Sequence, residues 1–308
     1  MIFVIKIFLL FLCVILLAAY LSLFERKIIA RIQKRLGPSY YGIFGFFQPI
    51  FDAIKLISKR GSFVGHSKAS VVSVCLFMFI SLMAVTLIPI SDNLYVFNPK
   101  YGLLYVILIF TALGFVEVFI GIDSQSKYGV IGGVRAYFQM LAAHLPFLLS
   151  VICIVSITKT FNIIEIVNFQ SGLSLGVVLL PVFVVYFFTS LIILNRTPFD
   201  FTEAESEIVA GNYTEYGGML FAMIYLSEYV NLVFVSALIV LLFMGGWNPV
   251  VNIQSVSPYA WMAIKTMIII TFIICIRAIF PRYKQNKIIK FSWLLFCPIV
   301  MIYTMLFI

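Results

Sequence analysis

The sequence predicts an all-α membrane protein, a polytopic bundle of about eight transmembrane helices, and two observations carry this prediction. Of the 308 residues, 63% are hydrophobic and only 11% are charged, with a mean hydropathy of +1.12, whereas soluble domains carry about 25% charged residues. Apolar runs of about 20 residues, the length that crosses a bilayer, recur along the chain. Because no repeat, low-complexity tract or change of composition divides the sequence, we expect a single integral membrane domain over residues 1–308.

Eight apolar segments are long enough to cross the membrane. They lie at roughly 3–24, 70–90, 101–122, 136–157, 174–194, 217–243, 260–280 and 291–308. The first segment is too long for the apolar region of a secretory signal peptide and has no small-residue cleavage site. We therefore expect it to be retained as the first span.

The basic residues predict the orientation of the bundle. Most of the 21 Lys and Arg residues fall in the loops 25–69, 123–135, 195–216 and 281–290, which share one side of the membrane. Such loops stay on the cytoplasmic side, or on the matrix side in mitochondria, so we expect both termini on the opposite side. Because these residues flank apolar spans, the net charge of +9 does not indicate nucleic-acid binding.

Residues that commonly hold metals or perform catalysis are sparse. The five cysteines lie inside apolar runs, with no CxxC pair and no ligand spacing to either histidine. We therefore expect no disulfide framework, metal site or iron–sulfur cluster. GxSxG, Walker A, HExxH and haem-attachment motifs are also absent from the sequence.

The first basic loop contains a predicted amphipathic helix that begins after Pro49. At helical spacing, polar and apolar residues form opposite stripes. The polar stripe is Gln48, Asp52, Lys55 and Lys59, and the apolar stripe is Phe47, Ile50, Phe51, Ile54 and Ile57. We expect this helix to lie in the membrane interface, either as a simple anchor or as a lid over the mouth of a cavity.

The loop 195–216 is the strongest functional signal. Its sequence, NRTPFDFTEAESEIVAGNYTEY, holds one Arg, one Asp and four Glu. Since carboxylates are not buried in lipid, the loop leaves the bilayer or lines a wet cavity. Thr202 and Glu205 match a capping box, which predicts a short helix from about Glu203. On that helix Glu203 and Glu207 share a face, and their like charges raise each other's proton affinity.

Four ionisable residues fall inside predicted spans, namely Glu117, His144, Glu228 and Lys265. A charge in the hydrocarbon core costs several kcal/mol unless it is paired or hydrated, so each is a candidate functional residue. Glu117 and His144 lie at similar depth in consecutive spans, which suggests a pair. Lys265 has a simpler alternative, in which its ammonium group reaches the interface. Together these residues suggest a path for protons or charge from the acidic loop into the bundle.

Short motifs in the loops resemble the subunit 1 family of NADH dehydrogenase, the respiratory complex I. They occur in the family's order over nearly the whole chain. The matching motifs are Glu25-Arg26-Lys27, Arg35-Leu36-Gly37-Pro38, Gln48-Pro49 with Asp52, Ser126-Lys127-Tyr128, Arg135-Ala136, Asn195-Arg196-Thr197-Pro198-Phe199-Asp200 with Glu203, Glu205 and Glu207, Glu215-Tyr216, Glu228-Tyr229, and Arg277-Ala278 with Pro281-Arg282.

The resemblance implies a tunnel through which ubiquinone moves from the bilayer toward an iron–sulfur cluster in soluble partner subunits. The residues carried over to the tunnel are Arg26, Gln33, Arg35, Phe47, Asp52, Arg196, Phe199 and Asp200. The family's acidic path, which links quinone chemistry to proton pumping, corresponds to Glu203, Glu205, Glu207, Glu215 and Glu228, and we add Glu117, His144 and Lys265. Residues expected to support the loops are Glu25, Lys127, Tyr128, Arg135, Arg277 and Arg282.

The resemblance also implies where the electron carriers lie. The chain itself would bind no flavin, iron–sulfur cluster, haem or metal, and it would be inactive alone. Its partners would be the other membrane-arm subunits, the soluble quinone-module subunits, ubiquinone and membrane lipids, with no nucleic acid. The expected location is the mitochondrial inner membrane or, as the alternative, a bacterial plasma membrane.

The sequence departs from the family's pattern at two positions. Ile193 stands two residues before NRTPFD, where the family usually has Glu, and Ala143-His144 replaces an aromatic–Glu pair. His144 still titrates close to neutral pH and can carry a proton. Glu117, on the preceding span, is the candidate for the missing carboxylate.

Three other functions are compatible with a polytopic chain. A membrane subunit of an energy-converting hydrogenase would use no quinone, and NRTPFD with the acidic loop favours complex I over it. A stand-alone ion transporter is disfavoured by the lack of inverted symmetry and of paired broken helices. A purely structural scaffold does not account for the acidic loop or for Glu228. A transporter would be active alone, whereas a complex I subunit would be inert outside its assembly.

Overall fold

The computed structural model describes residues 2–59, 68–202, 208–249 and 257–307. Within these ranges the chain forms helices and turns and no strand. Seven of the described helices are long and apolar enough to cross a membrane, and an eighth is apolar but shorter. The predicted class, a polytopic membrane helix bundle, is therefore confirmed.

The described helices are numbered here in chain order. They are α1 Ile2–Ile32, α2 Gln48–Ser58, α3 Lys68–Val85, α4 Gly102–Asp123, α5 Lys127–Thr158, α6 Ile163–Phe169, α7 Leu175–Val178, α8 Leu180–Ile193, α9 Gly218–Phe243, α10 Pro258–Ile279, α11 Gln285–Lys290 and α12 Cys297–Phe307. A π-helical turn, Phe291–Phe296, joins α11 to α12, so that Gln285–Phe307 forms one span.

Helix α9 is the centre of the bundle. It packs against α1, α2, α3 and α10, and 83% of its most apolar window is buried. Aromatic rings from neighbouring helices surround it. The ring centroid of Phe110 lies 5.3 Å from that of Phe234 and 5.0 Å from that of Phe147, and Tyr186 lies 5.1 Å from Phe243. A helix that is apolar on all sides is removed from water, either in a protein core or in a membrane.

Helix α1 extends beyond the predicted span 3–24. It continues to Ile32 because Ile28 and Ile29 pack against the core and Ala30 is fully buried, even though charged residues alternate with them. The helical conformation stops at Lys34, which has a φ of 55°. Glu25 and Arg26 therefore lie on a rigid helix and not in a loop.

Helix α5 begins at Lys127, earlier than the predicted start at 136. The Ser126 side chain caps it by accepting a hydrogen bond from the Gly129 N–H at 2.9 Å. Glycines at the start of α5 bring α4 and α5 close together. A Cβ atom added to Gly121 would lie only 2.7 Å from the Cα of Gly133.

The fifth predicted span, 174–194, is interrupted. Helix α7 ends before Leu179, and α8 starts at Leu180 with Pro181 in its first turn. Proline has no N–H to bond to the carbonyl of Val177, so it begins a new helix and does not extend α7. The 14 residues of α8 span about 21 Å, less than the roughly 30 Å hydrocarbon core.

The predicted amphipathic helix is present as α2. Its apolar stripe faces outward, with Phe47, Ile50 and Ile57 at 49%, 45% and 64% exposure. Of the polar stripe, Gln48 and Asp52 are half-buried on the side of the bundle, whereas Lys55 and Lys59 are exposed. The helix therefore presents its apolar side to the surroundings and its polar side to α1 and α9.

Candidate functional site

The acidic loop turns back into the bundle directly after α8. Asn195 adopts a φ of 49°, in the left-handed region, so the helical conformation of α8 does not continue past it. The amide of Gln139, on α5, donates to the backbone carbonyls of Ile192 at 2.8 Å and Phe199 at 2.7 Å. This buried side chain therefore fixes both ends of the turn that carries Asn195 and Arg196.

A buried ion-pair cluster joins α1, the loop and α10. Arg196 Nη1 lies 2.7 Å from Glu25 Oε2, and both side chains are almost completely buried. Arg277 Nη1 donates to the other oxygen of the same carboxylate. The guanidinium of Arg196 also lies 4.7 Å from the ring centroid of Tyr229. The predicted loop-supporting residues Glu25 and Arg277 are thus brought together with the predicted tunnel residue Arg196.

Arg196 keeps its charge in this environment. Burial by itself would lower the pKa of Arg196, but the carboxylate of Glu25, with Tyr229 and Glu228, raises the pKa above its ordinary value. Buried charges persist when they are paired and hydrogen-bonded in this way. The cluster of one carboxylate and two guanidinium groups has a net positive charge.

Two further ion pairs lie beside the cluster. Arg282 Nη2 contacts Asp200 Oδ2 at 3.1 Å, with Asp200 buried and Arg282 partly exposed. Arg26 Nη1 contacts Asp52 Oδ2 at 3.0 Å, and Gln48 donates to the other oxygen of Asp52 at 3.1 Å. The second pair connects α1 to the polar stripe of α2.

Tyrosines on α9 link the Arg26 pair to the buried cluster. The hydroxyl groups of Tyr225 and Tyr229 are 3.1 Å apart. Arg26 interacts with the Tyr225 hydroxyl, and Glu25 with that of Tyr229. A continuous polar network therefore runs from Asp52 on α2 to Arg196 on the loop. Tyr225 was missed by the sequence analysis, although it is four residues from Tyr229 and three from Glu228.

A cavity, here called the arginine cavity, lies at this network. It has a volume of about 100 Å³. Its lining residues are Leu194, Asn195, Arg196, Asp200, Tyr213, Phe221, Ile224, Tyr225, Glu228, Tyr229 and Arg277.

The second cavity, here called the Glu117 cavity, lies between α4, α5, α8 and α9. It has a volume of about 40 Å³. Its lining includes Phe77, Phe110, Leu113, Gly114, Glu117, Ala136, Gln139, Met140, His144, Ile192, Ile193, Leu194, Asn195, Tyr213, Glu228 and Asn231. A polar cavity holds an ordered water in roughly 10–15 Å³, so each cavity has room for at least two.

The two cavities meet at Asn195 and Glu228, which line both. Glu117 is buried, and its carboxylate accepts a hydrogen bond from Asn195 Nδ2. His144 lines the same cavity as Glu117, but no hydrogen bond or ion pair joins them among the described residues. The predicted Glu117–His144 pair is therefore not formed, because Asn195 is the partner of the carboxylate.

Several predicted residues lie away from both cavities. Among the tunnel residues, Arg35 Nε donates to Gln33 Oε1 at 2.7 Å on the exposed surface, and Phe47 is exposed on α2. Phe199 is buried, with its ring centroid 6.2 Å from that of Tyr283. These positions are outside the lining of either cavity.

The remaining predicted residues are distributed between the surface and the undescribed part of the loop. Glu215, Lys127 and Tyr128 are exposed, and Arg135 is half-buried on α5. The predicted short helix from about Glu203, with Glu205 and Glu207, lies outside the described residues. After it, Tyr216 donates from its hydroxyl group to the Ile120 carbonyl at 2.8 Å. Burial and the nearby Asp123 raise the pKa of Tyr216 to about 12, so this donor stays protonated.

Lys265 is also outside both cavities. Its Nζ donates to the carbonyl oxygens of Met244 at 2.8 Å, Gly246 at 2.8 Å and Asn248 at 2.7 Å. Only 3% of the residue is exposed. Three carbonyls in the segment that follows α9 therefore satisfy the ammonium group of Lys265 within the protein.

Fold and site together define a multi-pass membrane subunit with a buried ion-pair cluster and two polar cavities. The NADH dehydrogenase family matches residues 5–308. A subunit of the NADH-quinone oxidoreductase of Orientia tsutsugamushi (strain Boryong) is 36% identical over 305 residues, covering 96% of this chain and 86% of that protein. The NADH-ubiquinone oxidoreductase chain 1 of Cyanidium caldarium is 37% identical over 294 residues, covering 94% and 85%. The chain belongs to the NADH dehydrogenase family.

Proposed function

We propose that the chain is the quinone-site membrane subunit of a proton-pumping NADH:quinone oxidoreductase. In this proposal the arginine cavity forms part of the quinone tunnel, and the Glu117 cavity begins the proton path. The observation that carries the proposal is the meeting of the two cavities at Asn195 and Glu228. A site that reduces a quinone and a site that moves protons are coupled only if a change of charge at one site alters the electrostatic energy at the other.

The arginine cavity suits a quinone for two reasons. A quinone has a flat polar head on an apolar tail, and its tunnel is apolar with a few polar groups. The guanidinium groups of Arg196 and Arg277, which line the cavity, stabilise negative charge that develops as electrons reach the head group. The outward apolar stripe of α2, with Asp52 on its inner side, is compatible with a tunnel mouth at the membrane interface.

The Glu117 cavity suits proton transfer. Reduction of a quinone to a quinol consumes two protons, which changes the charge that nearby carboxylates experience. Glu228 lies at the junction, Glu117 and His144 line the space beyond it, and the cavity has room for ordered water. Ile193, at a position where the family usually has Glu, lines the same cavity, so Glu117 is well placed to supply the carboxylate.

The partners follow from the names of the relatives. Those names refer to parts of quinone or ubiquinone oxidoreductases, which favours a quinone enzyme over the hydrogenase alternative. Flavin and iron–sulfur clusters belong in this proposal to partner subunits, and the chain is inactive alone. The membrane is the mitochondrial inner membrane or a bacterial plasma membrane, since relatives from both settings match.

Photolabelling tests the tunnel. A quinone analogue with a photoreactive head group, bound to the assembled complex in membranes, is expected to label this chain at or near Asp52 or the loop 195–216. Excess unlabelled quinone should suppress the label. Labelling confined to partner subunits would contradict the tunnel assignment.

A further inference from the structure

The C-terminal end of α9 is held by an unusual set of buried polar contacts. The last turns of a helix leave backbone carbonyls without intrahelical partners. The segment that follows α9 adds three more carbonyls, those of Met244, Gly246 and Asn248, which converge on the ammonium group of Lys265. An ammonium group has three donor hydrogens, so the site is fully satisfied.

A second side chain, from a different neighbour, holds the same end of the helix. The amide nitrogen of Gln170 donates to the Leu241 carbonyl at 3.0 Å, and its oxygen accepts from the Gly245 N–H at 3.0 Å. Asn248 Nδ2 also donates to the Val167 carbonyl at 2.9 Å. The end of α9 is therefore fixed on one side by α10 and on the other by α6 and the residue after it.

Helix α9 connects this end to the junction of the cavities. It is continuous from Gly218 to Phe243 and contains no proline. Glu228 lies about 22 Å from the C-terminal end of the helix at 1.5 Å per residue. A rigid helix that rotates or slides at one end does the same along its length.

The rotation of α9 decides which side chains face which cavity. Tyr225 and Tyr229 line the arginine cavity, Asn231 lines the Glu117 cavity, and Glu228 lines both. Successive residues of an α-helix are about 100° apart around its axis, so a modest rotation would take Glu228 out of the junction.

We propose that Lys265 is a positioning residue, which fixes the height and rotation of α9 by binding three carbonyls at its end and thereby holds Glu228 at the junction of the two cavities. This inference rests on the proposed function for its consequence, but its structural part stands alone. In this role Lys265 acts through its hydrogen bonds to backbone carbonyls.

The test uses hydrogen–deuterium exchange of the assembled complex, analysed by mass spectrometry. Lys265→Met keeps the length of the side chain and removes its donors. We expect exchange on the order of tenfold faster in α9, both at its C-terminal end and in the peptide that contains Glu228. Thr266→Val is the matched control, because the Thr266 hydroxyl donates to the Ala263 carbonyl within the same helix, α10. Lys265→Arg, which keeps charge and donors, is expected to restore part of the protection.

The outcomes separate this inference from the proposed function. Faster exchange confined to the C-terminal end of α9 would overturn the proposal, because it would show that Lys265 caps this end without positioning Glu228. If Lys265→Met does not assemble, Lys265→Gln, which is shorter and retains two donor hydrogens, provides a milder form of the same comparison. The pH profile of quinone reduction provides the second measurement. Faster exchange around Glu228 with an unchanged profile would support positioning and argue against the proposed role of Glu228.

Discussion

The surroundings of Glu117 determine the properties of its carboxyl group. It is buried, it accepts a hydrogen bond from Asn195, and it shares a cavity with Glu228 and His144. Burial of a lone carboxylate is costly, so such a residue is retained where it binds a ligand, a water or a proton. In the proposed function Glu117 supplies the carboxylate that the family usually has at the position of Ile193.

Replacing Glu117 by Gln tests this role. Gln keeps the size of the side chain and its hydrogen bonding but carries no titratable proton. We expect Glu117→Gln to reduce the number of protons translocated per NADH oxidised in sealed vesicles. Glu165→Gln is the control, since Glu165 is exposed on α6. If both variants pump like the parent, the proton path does not use Glu117.

At the scale of elements, the crossing of α4 and α5 depends on glycine. A Cβ atom on Gly121 would lie 2.7 Å from Gly133 Cα and 2.8 Å from the Asn212 side-chain oxygen. The loop segment that carries Asn212 is therefore seated directly on this crossing.

Gly121→Ala is expected to destabilise the bundle by about 1–3 kcal/mol, the usual cost of overpacking. Gly172→Ala is the matched control, because a Cβ atom there meets no atom within 4 Å. The measurement is the temperature at which the purified complex loses half its activity, together with the amount of complex assembled. Equal behaviour of the two variants would show that the helices separate easily.

The elements differ in how far the sequence predicts them. Apolar runs locate the spans well, since hydrocarbon thickness fixes their length. Their ends are less predictable. The charged start of α5 and the continuation of α1 past Glu25 depend on packing against neighbours that are distant in sequence.

The residues of the candidate site also differ in how far the sequence predicts their roles. Glu117, Glu228 and Arg196 stand out because charge is rare in this chain. The ion pair between Glu25 and Arg196 joins residues 171 positions apart, and no local pattern reports it. The contacts of Lys265 cannot be predicted from the sequence for a further reason, since its partners are backbone carbonyls, which every residue has.

At the scale of the whole molecule, the uneven distribution of basic residues predicts the orientation of the bundle in the membrane, and this prediction can be tested. Lys127 and Lys100 are both exposed and lie at opposite ends of α4. In sealed vesicles whose native exposed cysteines, Cys13 and Cys75, are replaced by Ala, we expect a membrane-impermeant thiol reagent to distinguish Lys127→Cys from Lys100→Cys. The former should react from the matrix or cytoplasmic side and the latter from the other. Reaction of both from one side would refute the topology.

The shared carboxylate of the ion-pair cluster also has a consequence for biogenesis. Glu25 is in the first helix to be synthesised, whereas its partners Arg196 and Arg277 follow 171 and 252 residues later. During synthesis Glu25 lacks the Arg277 partner until α10 has been made. Until then its side chain is either protonated or held at the membrane surface. The site is completed only when nearly the whole chain has been inserted, so a truncated chain that lacks α10 cannot form it.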